Sequence, residues 1–225
     1  MSSSAAARRA NAPWVTWLYR LCWLVLLLLP LVLSLPHLNN YAWNYDEGPL
    51  LQAAALANEG FPLYEETVFN KPPLLIWWLQ LAFVVGGTAV STARFSILIL
   101  NLIGLAGLGW LAANWTQQRW AGPLAMGLWL LVPDVLVRLP VVMNDLPGMT
   151  FLLLTLAATT RFRQTNRTAW TMIAGLLFGL TLGLHPLLIF ASVPVTFLLF
   201  WGKPVDRNLG KSTVFFGLAA VSVSY

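Results

Sequence analysis

The sequence predicts an all-α, polytopic transmembrane protein that forms a single domain over residues 1–225. Of its 225 residues, 58% are hydrophobic and only 9% are charged, whereas soluble domains carry about a quarter charged residues. Long apolar runs recur along the chain, and the twelve Trp residues are typical of the headgroup belts of membrane proteins. Too little polar surface is available to cover a water-soluble globule, so most of the surface is expected to face lipid.

The predicted spans follow the apolar runs in chain order. No small-x-small cleavage site closely follows the first run, which favours a retained span over a signal peptide. The spans are approximately 14–36, 92–113, 121–139, 147–160, 169–184, 187–202 and a partial run at 212–225. Because the last run is shorter than the about 20 residues that a bilayer requires, we expect a chain that is truncated at its C-terminus.

A long first external loop, at residues 37–91, is predicted to carry two interfacial helices. One is an amphipathic helix near Glu47–Asn58. The other lies near Pro73–Val85, where the apolar run is so short that it is more often interfacial than spanning. If this run does not cross and the N-terminus is cytoplasmic, ten Lys and Arg residues fall inside and three outside, as the positive-inside rule prefers.

The same topology places seven of the eight acidic residues on the non-cytoplasmic side. Acidic residues have little influence on topology, so this one-sided distribution indicates a functional surface. The cations are scattered between apolar runs and form no basic stripe, so nucleic acid is not an expected partner.

Three polar motifs lie on this predicted outer side. Adjacent side chains on a helix diverge by about 100°, so either Asp46 or Glu47 faces a cavity while the other caps or charges the helix N-terminus. Asp145 lies between apolar runs, where a carboxylate must be paired, hydrated or bound to a cation. The motifs are Asn44-Tyr45-Asp46-Glu47-Gly48, Phe69-Asn70-Lys71-Pro72-Pro73-Leu74 and Met143-Asn144-Asp145-Leu146-Pro147.

Each of these motifs also has a purely structural interpretation. Asp46 and Asp145 would each cap a helix, and Lys71 would anchor the chain at the membrane interface. Arg94 opens a span, where it either anchors the helix or contacts a lipid phosphate. His185 either binds a phosphate or sugar at the outer membrane edge or simply ends a helix.

One further pair is predicted from spacing alone. Asp134 and Arg138 are four residues apart, which favours an ion pair on one helix face.

Taken in order, Tyr-Asp-Glu after the first span, Lys-Pro-Pro-Leu, Arg94 and Asn-Asp-Leu-Pro resemble the polyprenyl-phosphate-sugar-dependent glycosyltransferases of the GT-C type. This family includes protein O-mannosyltransferases and the lipid A aminoarabinose transferase. The resemblance covers essentially the whole chain. It implies a multi-pass enzyme of the plasma or inner membrane that moves a sugar from an undecaprenyl- or dolichyl-type phosphate to a hydroxyl of a protein, lipid or glycan.

The resemblance also implies residue roles. Asp46 would be the catalytic base, Lys71 would stabilise the leaving phosphate, and Asp145 would orient the acceptor or help to hold a cation. Glu47 and Arg94 join the expected substrate-binding residues, and His185 is added to them for its predicted place at the outer membrane edge.

Two departures from the family pattern stand out. Asn70 occupies a position that is often acidic in relatives and a metal ligand in some, so a divalent metal cofactor remains an open question. His185-Pro186 stands where many relatives have a Thr-Lys-Gly-like turn. Relatives are about twice this long, and their C-terminal part often shapes acceptor recognition, which leaves open whether this fragment acts alone.

Two other function classes fit the composition. A transporter or channel subunit would line its path with acidic side chains, although transporters place such groups near the midplane in broken helices. A non-catalytic scaffold would keep the fold without the chemistry. The clustering of acidic residues at one interface favours the enzyme.

Overall fold

The computed structural model describes residues 13–40, 44–64, 71–200, 214, 216–218 and 220–221. Within these ranges the secondary-structure elements are helices, which confirms the all-α prediction. Asn70 and most of the predicted partial span at 212–225 lie outside the described residues. The helices are α1 (Pro13–Ser34), α2 (Glu47–Asn58), α3 (Leu74–Gly86), α4 (Val90–Thr116), α5 (Ala121–Leu130), α6 (Pro133–Arg138), α7 (Asp145–Thr165), α8 (Ala169–Leu184) and α9 (Ser192–Phe200), with 3₁₀ turns at Leu35–His37 and Pro186–Ala191.

Two helical segments among the described residues are long and apolar enough to cross a membrane. They are Pro13–His37, which is α1 with its 3₁₀ turn, and Val90–Thr116, with mean hydropathies of 2.2 and 2.0. Only 11% of the most apolar window of the first is buried inside the molecule. A helix that is apolar all round and so little covered by protein is typical of a lipid-facing span. For the other apolar segments, crossing of the bilayer stays a prediction.

Helices α2 and α3 form a platform at one end of the bundle. Pro49 lies in the first turn of α2, and Pro72 and Pro73 precede α3; proline suits these places because the first helical N–H groups have no intrahelical partner. The two helices pack against each other and against α4 through one apolar core. That core includes Leu50, Ala53, Ala54, Leu75, Ile76, Leu79, Phe83, Ala93 and Ile97.

The apolar run at 121–139 is two helices instead of the single one that its composition predicts. Helix α5 ends at Leu130, and α6 begins at Pro133. The intervening Val132 is extended, with ψ at 109°, because a residue that precedes proline is disfavoured in the α conformation. The predicted Asp134–Arg138 ion pair is confirmed on α6, with 2.8 Å between Oδ2 and Nε.

Helices α4 and α7 approach closely at Gly104. A Cβ atom placed on Gly104 would lie 2.9 Å from Cβ and 3.1 Å from Cα of Thr150. The Cα atom belongs to the backbone of α7, which cannot rotate away as a flexible side chain can. Glycine at this position therefore sets the distance between the two helices.

We expect Gly104→Ala to lower the stability of the bundle by about 1–3 kcal/mol, because overpacking forces the neighbouring backbone to shift. The measurement is the thermal unfolding midpoint of the purified protein in detergent. Gly107→Ala is the matched control one turn away, where the added Cβ would make only ordinary contacts, with Cδ2 of Leu154 at 3.5 Å and Cβ of Leu153 at 3.9 Å. Equal midpoints for the two variants would contradict the close approach at Gly104.

Candidate active site

A pocket of about 330 Å³ opens where α2 and α7 begin and α8 ends. The structure brings together four of the six residues that the sequence nominated: Asp46, Lys71, Asp145 and His185. These residues are up to 139 positions apart in the chain, so only the tertiary fold unites them. The remaining lining residues are Pro72, Met143, Asn144, Leu184, Pro186 and Leu187.

Asp46 and Lys71 form the first ion pair of the pocket. Oδ2 of Asp46 lies 2.9 Å from Nζ of Lys71, and the two side chains are 57% and 33% exposed. Asp46 stands at the N-cap position of α2, yet its side chain makes no capping hydrogen bond. Its carboxylate is therefore available to the pocket, and the capping interpretation does not describe this structure.

The backbone of Lys71 is held by Tyr64, which sequence reasoning missed. The Tyr64 hydroxyl donates a hydrogen bond to the carbonyl oxygen of Lys71 at 2.6 Å. Desolvation raises the pKa of this hydroxyl, which further favours its protonated, donating form. Tyr64 has a positive φ of 72°, uncommon for a residue other than glycine, and no sequence pattern announces such a turn.

Asp145 and His185 form the second pair. Nε2 of His185 lies 3.0 Å from Oδ1 of Asp145, with side-chain exposures of 26% and 55%. Asp145 is the first residue of α7, where the helix dipole favours a negative charge. The Asn144 side-chain amide donates to the carbonyl oxygen of Leu184 at 2.7 Å, which ties the start of α7 to the end of α8.

Two buried polar atoms beside this pair have no hydrogen-bond partner among the described residues. They are Nδ1 of His185 and Oδ1 of Asn144. Leaving a buried polar atom unsatisfied costs about 1–3 kcal/mol, and such atoms are often found where a protein has a task besides folding. Asn144 was quoted in the third motif but given no role, so the structure adds it to the candidate set.

Glu47 and Arg94 are placed differently from the other four residues. Arg94 donates from Nε to Oε1 of Glu47 at 2.8 Å and from Nη2 to Oε2 at 2.7 Å. The side chains are 0% exposed for Glu47 and 5% for Arg94. Nη1 of Arg94 also donates to the carbonyl oxygens of Leu38 and Asn40, at 2.9 and 2.6 Å.

Glu47 connects the two halves of the pocket. It follows Asp46 directly, and its Oε1 accepts a hydrogen bond from the backbone N–H of Val142 at 3.2 Å, three residues before Asp145. The predicted divergence of Asp46 and Glu47 is seen here, since one faces the pocket and the other the core. Substrate contact by Glu47 or Arg94 stays a prediction, and their burial favours a supporting role.

The far end of α7 is basic. Arg161 stacks over the ring of Trp110 at 4.8 Å from its centroid, and Nη1 of Arg163 donates to the carbonyl oxygen of Leu198 at 3.2 Å. Because α7 has 21 residues, these arginines lie roughly 25 Å along the helix from Asp145 at 1.5 Å per residue. The acidic pocket and the basic residues therefore occupy opposite ends of one helix.

In the described ranges, no group of three or more His, Cys, Asp or Glu side chains is arranged to hold a metal ion. Asn70, where some relatives have a metal ligand, lies outside those ranges.

Comparison with known proteins gave one match. The family described as dolichyl-phosphate-mannose-protein mannosyltransferase matches residues 70–225, a range that contains Lys71, Arg94, Asp145 and His185 but not Asp46 or Glu47. No curated protein and no solved structure matched the chain. The family match covers more than half of the 225 residues and agrees with the resemblance drawn from the ordered motifs. The chain therefore belongs to the dolichyl-phosphate-mannose-protein mannosyltransferase family of GT-C type membrane glycosyltransferases.

Proposed function

We propose that this protein transfers a sugar from a polyprenyl-phosphate-linked donor to an acceptor hydroxyl on the non-cytoplasmic side of the membrane. One observation carries the proposal: a single pocket combines the Asp46–Lys71 pair with the Asp145–His185 pair. An exposed carboxylate can activate a hydroxyl as a general base, and a cation can stabilise a departing phosphate.

Asp46 is the general base in this proposal. The acceptor oxygen attacks the anomeric carbon of the sugar while the bond from that carbon to the phosphate oxygen breaks. Asp46 takes the hydroxyl proton, and the polyprenyl phosphate leaves with the bonding electrons. The 57% exposure of the Asp46 side chain leaves room for an acceptor to approach it.

Lys71 stabilises the departing phosphate. In this structure its ammonium group is paired with Asp46 at 2.9 Å. A partly exposed ion pair of this kind contributes only about 0–1 kcal/mol, so a donor phosphate can draw Lys71 away at little cost. The same movement would leave the Asp46 carboxylate free to accept a proton.

Asp145 and His185 bind hydroxyl groups of the sugar or the acceptor. The Asp145 carboxylate is 55% exposed and can accept hydrogen bonds from hydroxyls while His185 fixes its orientation. The buried Glu47–Arg94 pair supports the site, because Glu47 follows Asp46 in the chain and accepts a hydrogen bond from the N–H of Val142, three residues before Asp145.

The proposed orientation rests on the separation of charge. The pocket holds Asp46 and Asp145, whereas Arg161 and Arg163 lie at the opposite end of α7. Cytoplasmic ends of spans are enriched in Lys and Arg, so the pocket end is assigned to the non-cytoplasmic side.

The test uses membranes that contain the full chain and a radiolabelled polyprenyl-phosphate sugar. Label that appears in protein, lipid or glycan supports the proposed enzyme. Label that crosses the membrane without transfer would favour a transporter, and neither result would favour a scaffold. Membranes without the chain provide the background.

We expect Lys71→Gln to reduce transfer by about 10²–10³, the usual effect of removing one donor that stabilises developing negative charge. Initial rates at saturating acceptor, over a range of donor concentrations, measure the effect. Arg161→Gln, which removes an exposed cation from the far end of α7, is the matched control and should leave the rate within about twofold, because surface charges remote from a site have little effect. Equal losses for both variants would refute a specific role for Lys71.

A further inference from the structure

Tyr64 combines an unfavourable backbone conformation with a contact to the cation of the pocket. Its φ of 72° lies in the left-handed region, which costs free energy for a bulky side chain and is usually occupied by glycine, asparagine or aspartate. Its hydroxyl donates a 2.6 Å hydrogen bond to the carbonyl oxygen of Lys71. Unfavourable backbone conformations often persist where a function depends on them, so this contact is a candidate for such a function.

The carbonyl oxygen of Lys71 belongs to the peptide group that joins Lys71 to Pro72. That group is planar, and the rings of Pro72 and Pro73 fix the next two φ angles at the entry to α3. The direction of the Lys71 side chain relative to α3 therefore depends mainly on the ψ angle of Lys71. A residue that precedes proline still has a ψ range of about 40°, which is enough to redirect a long side chain. A hydrogen bond that holds the carbonyl oxygen narrows this range.

Both ends of this hydrogen bond are attached to the platform of α2 and α3. Leu63, the neighbour of Tyr64, packs against the apolar core of the platform, and α3 contributes several side chains to the same core. The ion pair with Asp46 is partly exposed and is too weak to fix Lys71 by itself. The Tyr64 hydroxyl thus gives Lys71 a second attachment to the platform, in addition to the chain that leads into α3.

We propose that Tyr64 is a positioning residue, whose hydroxyl fixes the backbone of Lys71 so that the ammonium group meets the donor phosphate in the pocket. The assignment rests on the proposed function, since it takes Lys71 to contact that phosphate. Tyr64 does not line the pocket and acts only through Lys71. This role explains why a tyrosine occupies a position where glycine would fit the backbone better.

Binding of undecaprenyl phosphate to the full chain in phosphatidylcholine nanodiscs tests this role without relying on transfer. We expect Tyr64→Phe, which removes only the hydroxyl, to weaken binding by about three- to tenfold, the range that one hydrogen bond supports. In a chain that already carries Lys71→Gln, the same substitution should change the affinity by less than about twofold, because residues that act through one contact are not additive. A full effect of Tyr64→Phe in both backgrounds, or none in either, would overturn the proposal.

Tyr19→Phe is the matched control. The ring of Tyr19 contacts those of Trp23 and Trp120, and Tyr19 does not line the pocket. Removal of its hydroxyl should leave the affinity for undecaprenyl phosphate within about twofold, as for other substitutions remote from a site. An equal loss of affinity for Tyr19→Phe would indicate a general effect of hydroxyl removal and would rule out a specific role for Tyr64.

A second comparison separates the backbone conformation from the hydroxyl. Tyr64→Gly and Tyr64→Ala both remove the ring and its hydroxyl, but only glycine adopts a φ of 72° without strain. We expect the glycine variant to unfold about 2–4 °C above the alanine variant, while both bind undecaprenyl phosphate at least as weakly as Tyr64→Phe. Wild-type affinity in the glycine variant would mean that the hydroxyl does not position Lys71, and identical unfolding temperatures would contradict the strain.

Sugar transfer distinguishes this inference from the proposed activity. In a chain that transfers sugar, Tyr64→Phe should lower kcat by about tenfold and leave the KM for the acceptor unchanged, because Lys71 acts on the leaving phosphate. Lipid-phosphate binding that depends on Tyr64 only when Lys71 is present, in a chain without transfer, would support the positioning role and refute only the proposed activity.

Discussion

Replacement of Asp46 by asparagine is expected to lower sugar transfer by about 10²–10⁴, the usual contribution of a positioned general base. Asparagine keeps the size of the side chain but cannot accept the proton of the acceptor hydroxyl. The loss should appear in kcat measured with the full chain, the labelled donor and saturating acceptor. Donor binding should survive, because the Lys71 cation is retained.

Asp134→Asn is the control for this experiment. Asp134 is also an exposed carboxylate paired with a cation, at 2.8 Å from Arg138, but it does not line the pocket. Its replacement should leave kcat within about twofold, as for other surface substitutions away from functional groups. If Asp46→Asn retained full transfer while Lys71→Gln lost it, the base would have to be sought elsewhere in the pocket.

The second large effect concerns the buried pair. Arg94→Met would leave the Glu47 carboxylate without its cation in a site with 0% exposure, and breaking a buried ion pair in this way costs about 3–5 kcal/mol. The variant would also leave the carbonyl oxygens of Leu38 and Asn40 without the hydrogen bonds that Arg94 donates to them. We therefore expect a large fall in the thermal unfolding midpoint and a loss of transfer.

Two further variants separate charge burial from simple loss of packing. Glu47→Gln combined with Arg94→Met removes both charges and should recover part of the stability that Arg94→Met loses, since no unpaired buried charge remains. Arg138→Met breaks an ion pair of similar length whose side chains are 45% and 68% exposed, and it should cost less than about 1 kcal/mol. A midpoint for Arg94→Met no lower than that for Arg138→Met would refute the buried role.

Local features of this protein could be predicted from its sequence. Three of them depend only on residues within one or two turns of one another. They are the helix at Glu47–Asn58, the divergence of Asp46 from Glu47, and the Asp134–Arg138 ion pair. The proline at position 133 also indicates the break between α5 and α6, although the apolar composition of 121–139 suggested one continuous helix. Such features follow from backbone geometry and helix spacing, which neighbouring residues determine.

The partners of the ionisable residues could not be predicted. Arg94 in the second turn of a long apolar helix required a counter-charge, but several acidic residues were available. Only the packing of α4 against the start of α2 selects Glu47. Likewise, His185 meets Asp145 because α7 and α8 are antiparallel neighbours whose ends coincide. Glu47 and Arg94 are separated by 47 positions in the chain, and Asp145 and His185 by 40. Rules that depend on neighbouring residues do not predict contacts over such separations.

The hydrogen bonds of Glu47 also bear on biosynthesis. Asp46 and Glu47 leave the ribosome well before either Arg94 or Val142, the two groups that hold Glu47 in place. During synthesis Asp46 and Glu47 therefore lie on a segment that is not yet tethered, and only the later arrival of Val142 completes the hydrogen bonds of Glu47. A chain whose synthesis stops before Val142 would contain Asp46 and Lys71 but would lack the backbone hydrogen bond that fixes Glu47.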